Sequence, residues 1–176
     1  MLTAALGRQT VGQTIFGEIA MWDAQQTERL EFERQLLEKY MPNFQMDLQL
    51  PDNAYVDGWV MTSGGTNWYR LWIAIPGKYP YVAPDLYVMH PHPLPTHGGK
   101  RTVNSLKGSG AFHVYNNGKD GYVWVCHTHS WDASMNCINV LMRGFIWLEA
   151  YEGHLATGRD LAEFLNPPPK RRRWWW

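Results

Sequence analysis

The chain is poor in cysteine, has no long apolar run and carries no net charge, and each of these absences removes a class of protein. Only Cys126 and Cys137 are present among 176 residues, too few for a disulfide framework, which excludes the small disulfide-stapled secreted domains. No apolar stretch approaches the roughly 20 residues that a membrane-spanning helix requires. The start, MLTAALGRQTVGQTIFGEIA, lacks the basic-then-apolar layout of a secretory signal, so a reducing, cytoplasmic location is expected. Sixteen basic residues balance sixteen acidic ones, which argues against binding nucleic acid over the whole surface by counterion release. No internal repeat is visible, and neither Cys-x-x-Cys nor His-Glu-x-x-His spacing occurs.

What is present fits one folded domain. Hydrophobic residues make up 45% and charged residues 18% of a 20.4 kDa chain, enough apolar surface to offset the entropy of ordering it. Ten tryptophans and nine tyrosines point to a compact, β-rich core packed with aromatics. Lys170 and Arg171–Arg173 concentrate positive charge in a tail without acids, leaving twelve basic against sixteen acidic residues, a charge of −4, elsewhere. The expected organisation is a flexible N-terminal arm over 1–17, a domain over 18–166, and a basic, tryptophan-ended tail over 167–176.

Within the domain the pattern is α+β. Leu30, Leu36, Leu37 and Tyr40 recur at helical intervals over 18–40, and Pro42 ends the run. Alternation then predicts strands over 45–50, 55–62 and 68–75, the last two joined by the glycine-paired SGGTN, and a fourth over 85–89 after the proline-punctuated IPGKYPYVAP. A histidine- and glycine-rich stretch over 90–123 is far longer than an ordinary connection of about 4–6 residues, the kind of loop that often carries function. Residues 122–125 form a short strand or extended run into Cys126. Helical spacing resumes at 133–151, with Asp132 or Ser134 as possible cap and Gly153 and Gly158 at its end, and a last short helix spans 159–165.

Cys126 stands between an apolar extended run and a polar, histidine-bearing turn ahead of a helix. A helix N-terminus or a protonated His127 or His129 nearby would favour thiolate, the form that attacks carbonyls and thioesters. Cys137 falls on the apolar side of the helix and reads as core. A different reading uses the histidines: His127 and His129, with His92, His97 or His113 from the long loop, could bind zinc and stabilise an unrelated α+β protein.

The order of these elements resembles the ubiquitin-conjugating enzymes. A helix, a four-strand antiparallel meander, the Tyr79-Pro80 and Pro84 turn, a long loop, Cys126, Trp131 and a long helix follow one another as they do there. The segment HVYNNGKDGYVWVC is similar to that family's His-Pro-Asn and catalytic-cysteine segment, with His113 in the His position and Asn116 or Asn117 in the Asn position. The similarity is closer to the bacterial members found in antiphage operons with a ubiquitin-like protein and an activating enzyme. HVYNNG, Cys126, Trp131, Trp147-Leu148, Tyr151-Glu152 and Thr157-Gly158 carry it, over about 27–165.

The resemblance implies a cytoplasmic transferase that needs no cofactor or metal. Cys126 would take a ubiquitin-like protein from its activating enzyme as a thioester and pass it to a target amine. Asn116 or Asn117 would steady the oxyanion, and His113, His127 or His129 would take the amine's proton. The first helix, with Arg29, Arg34 and Lys39 expected on exposed positions, would meet the activating enzyme. An inactive module on the same fold is the alternative, and it implies a buried, unreactive Cys126. Because the 167–176 tail matches nothing in the conjugating fold, its deletion is expected to leave thioester formation intact. Loss of the charged species from the truncated protein, read by intact mass, would contradict this.

Overall fold

The computed structural model describes residues 21–166 except Thr66, Lys107 and Asn117, and only the backbone of Lys119. The expected N-terminal arm, residues 18–20 of the expected domain and the 167–176 tail lie outside the described residues. The first helix, α1 (Ala24–Tyr40), begins later than the periodicity suggests. Asp23 and Gln26 cap it reciprocally: the Gln26 amide donates to Asp23 Oδ1 at 2.7 Å, and the Asp23 amide donates back to Gln26 Oε1 at 3.2 Å. Its buried stripe, Gln26, Leu30, Glu33 and Leu37, is half polar.

Five strands follow as an antiparallel meander in sequence order: β1 (Phe44–Asp47), β2 (Ala54–Met61), β3 (Trp68–Ile75), β4 (Asp85–His90) and β5 (Val123–Val125). The expected four-strand sheet is thus corrected to five. The run before Cys126 pairs with β4 through Leu86↔Val125 and Val88↔Val123, so three residues too short to show a period gain strand identity from their neighbour. Conversely, Leu48 and Leu50 fall outside β1, whose pairing with β2 ends at Asp47↔Tyr55. Val56, Leu71, Ile73, Ile75, Leu86 and Val88 point inward and are at most 1% exposed. The alternate residues Tyr55, Trp72, Tyr87 and Trp124 lie on the outer face, in ring-to-ring contact from strand to strand.

The second long helix, α2 (Cys137–Thr157), packs Val140, Leu141, Trp147 and Leu148 into the core, and α3 (Leu161–Leu165) packs beside it. Gly144 faces the sheet, where an added Cβ would come within 2.9 Å of Leu86 Cδ2, so glycine permits the close helix–sheet approach. The cap of α2 is Asn136, whose side chain exchanges hydrogen bonds with Asn139, rather than Asp132 or Ser134. Asp132 instead closes a turn on the Ser134 amide at 2.8 Å. The segment is held out of the helix because the carbonyls of Ala133 and Met135 accept from the Arg29 guanidinium. At the other end Gly153 lies inside the helix, and Gly158, at φ 75°, terminates it in the left-handed conformation that glycine adopts at least cost.

Arg29 is therefore not an exposed docking cation. It lies 2.8 Å from the fully buried Glu33, which also accepts from the Tyr79 hydroxyl and, at 2.9 Å, from the amide of Cys137. Gln26 extends this contact by donating to the carbonyls of Gly77 and Tyr79 at 2.9 and 2.8 Å. Removing one partner of such a buried charge leaves the others unpaired. Glu33→Ala is expected to cost about 3–5 kcal/mol, against about 1 kcal/mol for Asn136→Ala. Urea unfolding of the two variants checks the difference, and equal losses would show that Glu33 does no more than an ordinary cap.

Candidate functional site

Cys126 continues the chain directly from β5 and is half-buried. Residues 113–115 lie antiparallel beside this end of β5. Val114 bridges Val125, the Tyr115 amide donates to Trp124 O at 2.9 Å, and the Cys126 amide donates to His113 O at 2.8 Å. The loop is anchored from α2: Trp147 Nε1 donates to Phe112 O at 2.8 Å, and the Tyr151 hydroxyl, its ring stacked on Trp147, donates to Pro95 O at 2.7 Å. Trp147 and Tyr151 thus hold the long loop, while Glu152 accepts from the Tyr69 hydroxyl of β3 at 2.5 Å. Trp131 donates to Pro80 O at 2.6 Å and lies against Tyr79, covering the proline turn.

Cys126, His113, His127 and His129 line one open cleft of about 460 Å³, together with Arg143, Ile146 and Trp147 from the middle of α2. The start of α2 does not face the thiol. Its first amide donates to the Glu33 carboxylate, and no residue of its first turn lines the cleft. Asn116 is not brought to this cleft. It lines a second one, with its side chain over Gly108, where an added Cβ would sit 2.3 Å from Asn116 Oδ1. Side chains alternate along an extended segment, so the pairing that sends Tyr115 toward the Trp124 face turns Asn116 away. Asn117 lies outside the described residues.

Tyr115 is the residue the sequence reading passed over. Its ring packs 4.5 Å from Trp124, and an interaction with Cys126, together with burial, pushes the phenol up to about 12. The same hydroxyl lies 3.4 Å from Thr128 O. The phenol remains protonated at neutral pH. Its place inside HVYNNG was the available signal, but which face it would take depended on the pairing with β5.

The three histidines differ. His129 is exposed at the cleft, and His113 is half-buried at a left-handed φ of 50°. His127 Nε2 lies 2.8 Å from Pro84 O, and a carbonyl only accepts, so Nε2 carries the proton and the buried Nδ1 is left bare, without a protein partner. Burial holds this imidazole below its ordinary value, with Arg143 adding to the effect. Among the described residues no group of three or more His, Cys, Asp or Glu side chains is placed to hold a metal ion. None of the described helices is long and apolar enough to cross a membrane.

Because the folded state disfavours protonated His127, its contribution to stability is complete above the unfolded value near 6.5 and is lost as pH falls through the lower folded value. His127→Gln is expected to flatten the fall in melting temperature below pH 6.5, and an unchanged pH profile would contradict the assignment. No protein-family model matches the chain, and comparison with curated proteins and with solved structures likewise gives no match.

Proposed function

We propose that the chain is a ubiquitin-like protein conjugating enzyme with Cys126 as the acyl carrier, working in a bacterial antiphage operon of the kind its sequence resembles. The observation that carries this reading is the half-buried Cys126 at an open cleft that His113 and His129 also line. The inactive-module alternative implies a buried cysteine, which Cys137, fully enclosed, exemplifies and Cys126 does not. Burial pushes the Cys137 thiol far above the ordinary range, with Glu33 adding to it.

In this mechanism the Cys126 thiolate attacks the thioester carbonyl presented by the activating enzyme. The tetrahedral intermediate collapses by expelling that enzyme's thiolate, leaving the ubiquitin-like protein on Cys126. A target amine then attacks the new thioester, gives up a proton, and Cys126 departs as thiolate. Tyr115 is the donor to the sulfur, a role distinct from the oxyanion contact expected for Asn116, which lines the second cleft. His113 and His129 remain the bases, since the Nε2 of His127 is engaged by Pro84 and its Nδ1 is enclosed. The exposed side of α1, where Phe32 is 50% exposed and Arg34 and Lys39 point outward, is the docking face for the activating enzyme.

Replacing Cys126 by Lys converts a labile thioester into a stable isopeptide. Intact mass of Cys126→Lys recovered from its native cells is expected to show a protein-sized increment that Cys126→Ala lacks and Cys137→Ala retains as a thioester. An unchanged mass with the activating enzyme expressed would turn the reading to the inactive module. Tyr115→Phe is expected to slow both charging and iodoacetamide alkylation of Cys126 about tenfold, the worth of one hydrogen bond to a charged group. Alkylation at the wild-type rate would remove Tyr115 from the mechanism.

A further inference from the structure

The residues that line the Cys126 cleft include no carboxylate, and their ionisable members are His113, Cys126, His127, His129 and Arg143. The balance is opposite to that of residues 1–166, where twelve basic residues face sixteen acidic ones. Arg143 is the fixed charge of the group, since a guanidinium stays protonated at every working pH. Its Nη1 donates to His127 O at 2.8 Å, which ties it to the chain one residue beyond the thiol. Arg29, Arg34, Arg70 and Arg159 each have a carboxylate partner, whereas Arg143 enters none of the ion pairs among the described residues. Its charge is felt at the cleft, where it adds to the effect of burial in disfavouring protonated His127. A guanidinium carries five N–H donors, so the bond to His127 O leaves a fork for a planar anion.

Two groups reach the thiol in the conjugating sequence, the acyl chain and the attacking amine. A protonated amine is repelled by Arg143, and the same charge favours the neutral amine that attacks. The acyl chain is the partner that stays tethered to Cys126 between the two steps, and a carboxylate on it can pair with the guanidinium. A cleft walled by protein concentrates such a field toward its opening.

We propose that Arg143 is a specificity residue, which selects acyl groups that carry a carboxylate close to the reacting carbonyl. On the conjugating reading, from which the biological acyl group is taken, the carboxylate is an acidic side chain in the terminal residues of the ubiquitin-like protein. The selection itself belongs to the cleft and operates on any reagent that reaches Cys126.

The test compares anionic iodoacetate with neutral iodoacetamide, reagents of similar size from which the Cys126 thiolate displaces iodide. Both consume the same thiolate, so the ratio of their rates cancels any change in thiol acidity. Rates are read on the full-length protein from the mass of the Cys126 peptide, while Cys137, enclosed in the fold, reports unfolding if it is alkylated. Arg143→Gln is expected to lower the iodoacetate-to-iodoacetamide ratio about threefold, the effect of one nearby unit charge in water-like surroundings. Arg143→Lys keeps the charge and should retain the ratio, and added salt should lower it more in the wild type than in Arg143→Gln. Lys100→Gln, which removes an exposed cation outside the cleft, should leave it unchanged. Iodoacetyl-Gly-Asp amide should likewise react faster than iodoacetyl-Gly-Asn amide, and lose that lead in Arg143→Gln. Equal rates for the two peptides, or an unchanged ratio in Arg143→Gln, overturn the proposal. A drop caused by deleting 167–176 and not by Arg143→Gln also overturns it, and assigns the preference to the basic tail. Failure of the ratio test with Cys126→Lys still gaining a protein-sized increment removes the carboxylate selection alone. The full pattern without that increment removes the conjugating reading and leaves an anion-selective thiol.

Discussion

A buried carboxylate, Glu33, sets the geometry on which the rest depends. An unpaired charge in an apolar interior is too costly to persist, so Glu33 stays only where its donors converge. Those donors come from α1 itself through Arg29, from the proline turn through Tyr79, and from the first amide of α2 through Cys137. The carboxylate also sits at the positive end of the α2 dipole, which it complements. Three segments separated by dozens of residues therefore share one solution, and the starting point of α2 is fixed by a side chain on α1.

That starting point propagates to Cys126. With the first residue of α2 fixed, Trp147 and Tyr151 fall where they can take Phe112 O and Pro95 O, and Gly144 falls where the helix must approach Leu86 closely. The loop so anchored lays His113–Tyr115 along β5 and its continuation. A segment with little regular structure of its own acquires strand-like alternation from the edge it pairs with. The thiol is thereby positioned by the core at one remove, and its surroundings are polar because the loop, rather than the core, supplies them.

The two faces of the sheet do different work. Aliphatic side chains fill the inner face under α1 and α2, while the outer face carries a row of rings packed one against the next. Alternation along β5 puts Trp124 and Cys126 on one side and Val123 and Val125 on the other. The same alternation in the partner segment decides that Tyr115, and not the adjacent Asn116, packs on Trp124.

Much of the fold was legible in the sequence where burial follows a simple period. Strand β3 matches its alternation to the residue, β2 lies within one residue of it, and α2 was visible from its apolar spacing. Cys126 stood out because its neighbours mark the end of an apolar run. Periodicity could not show that Gln26 and Glu33 are buried, since their burial depends on donors from distant segments. It could not place the start of α2, because Arg29 holds 133–135 out of the helix, nor identify β5, whose three residues are a strand only beside β4. Local side-chain chemistry and spacing determined the elements and singled out Cys126. Which groups surround that thiol was decided by tertiary pairing alone, since a one-residue change of register exchanges the faces of an extended segment and would bring Asn116 rather than Tyr115 to Trp124.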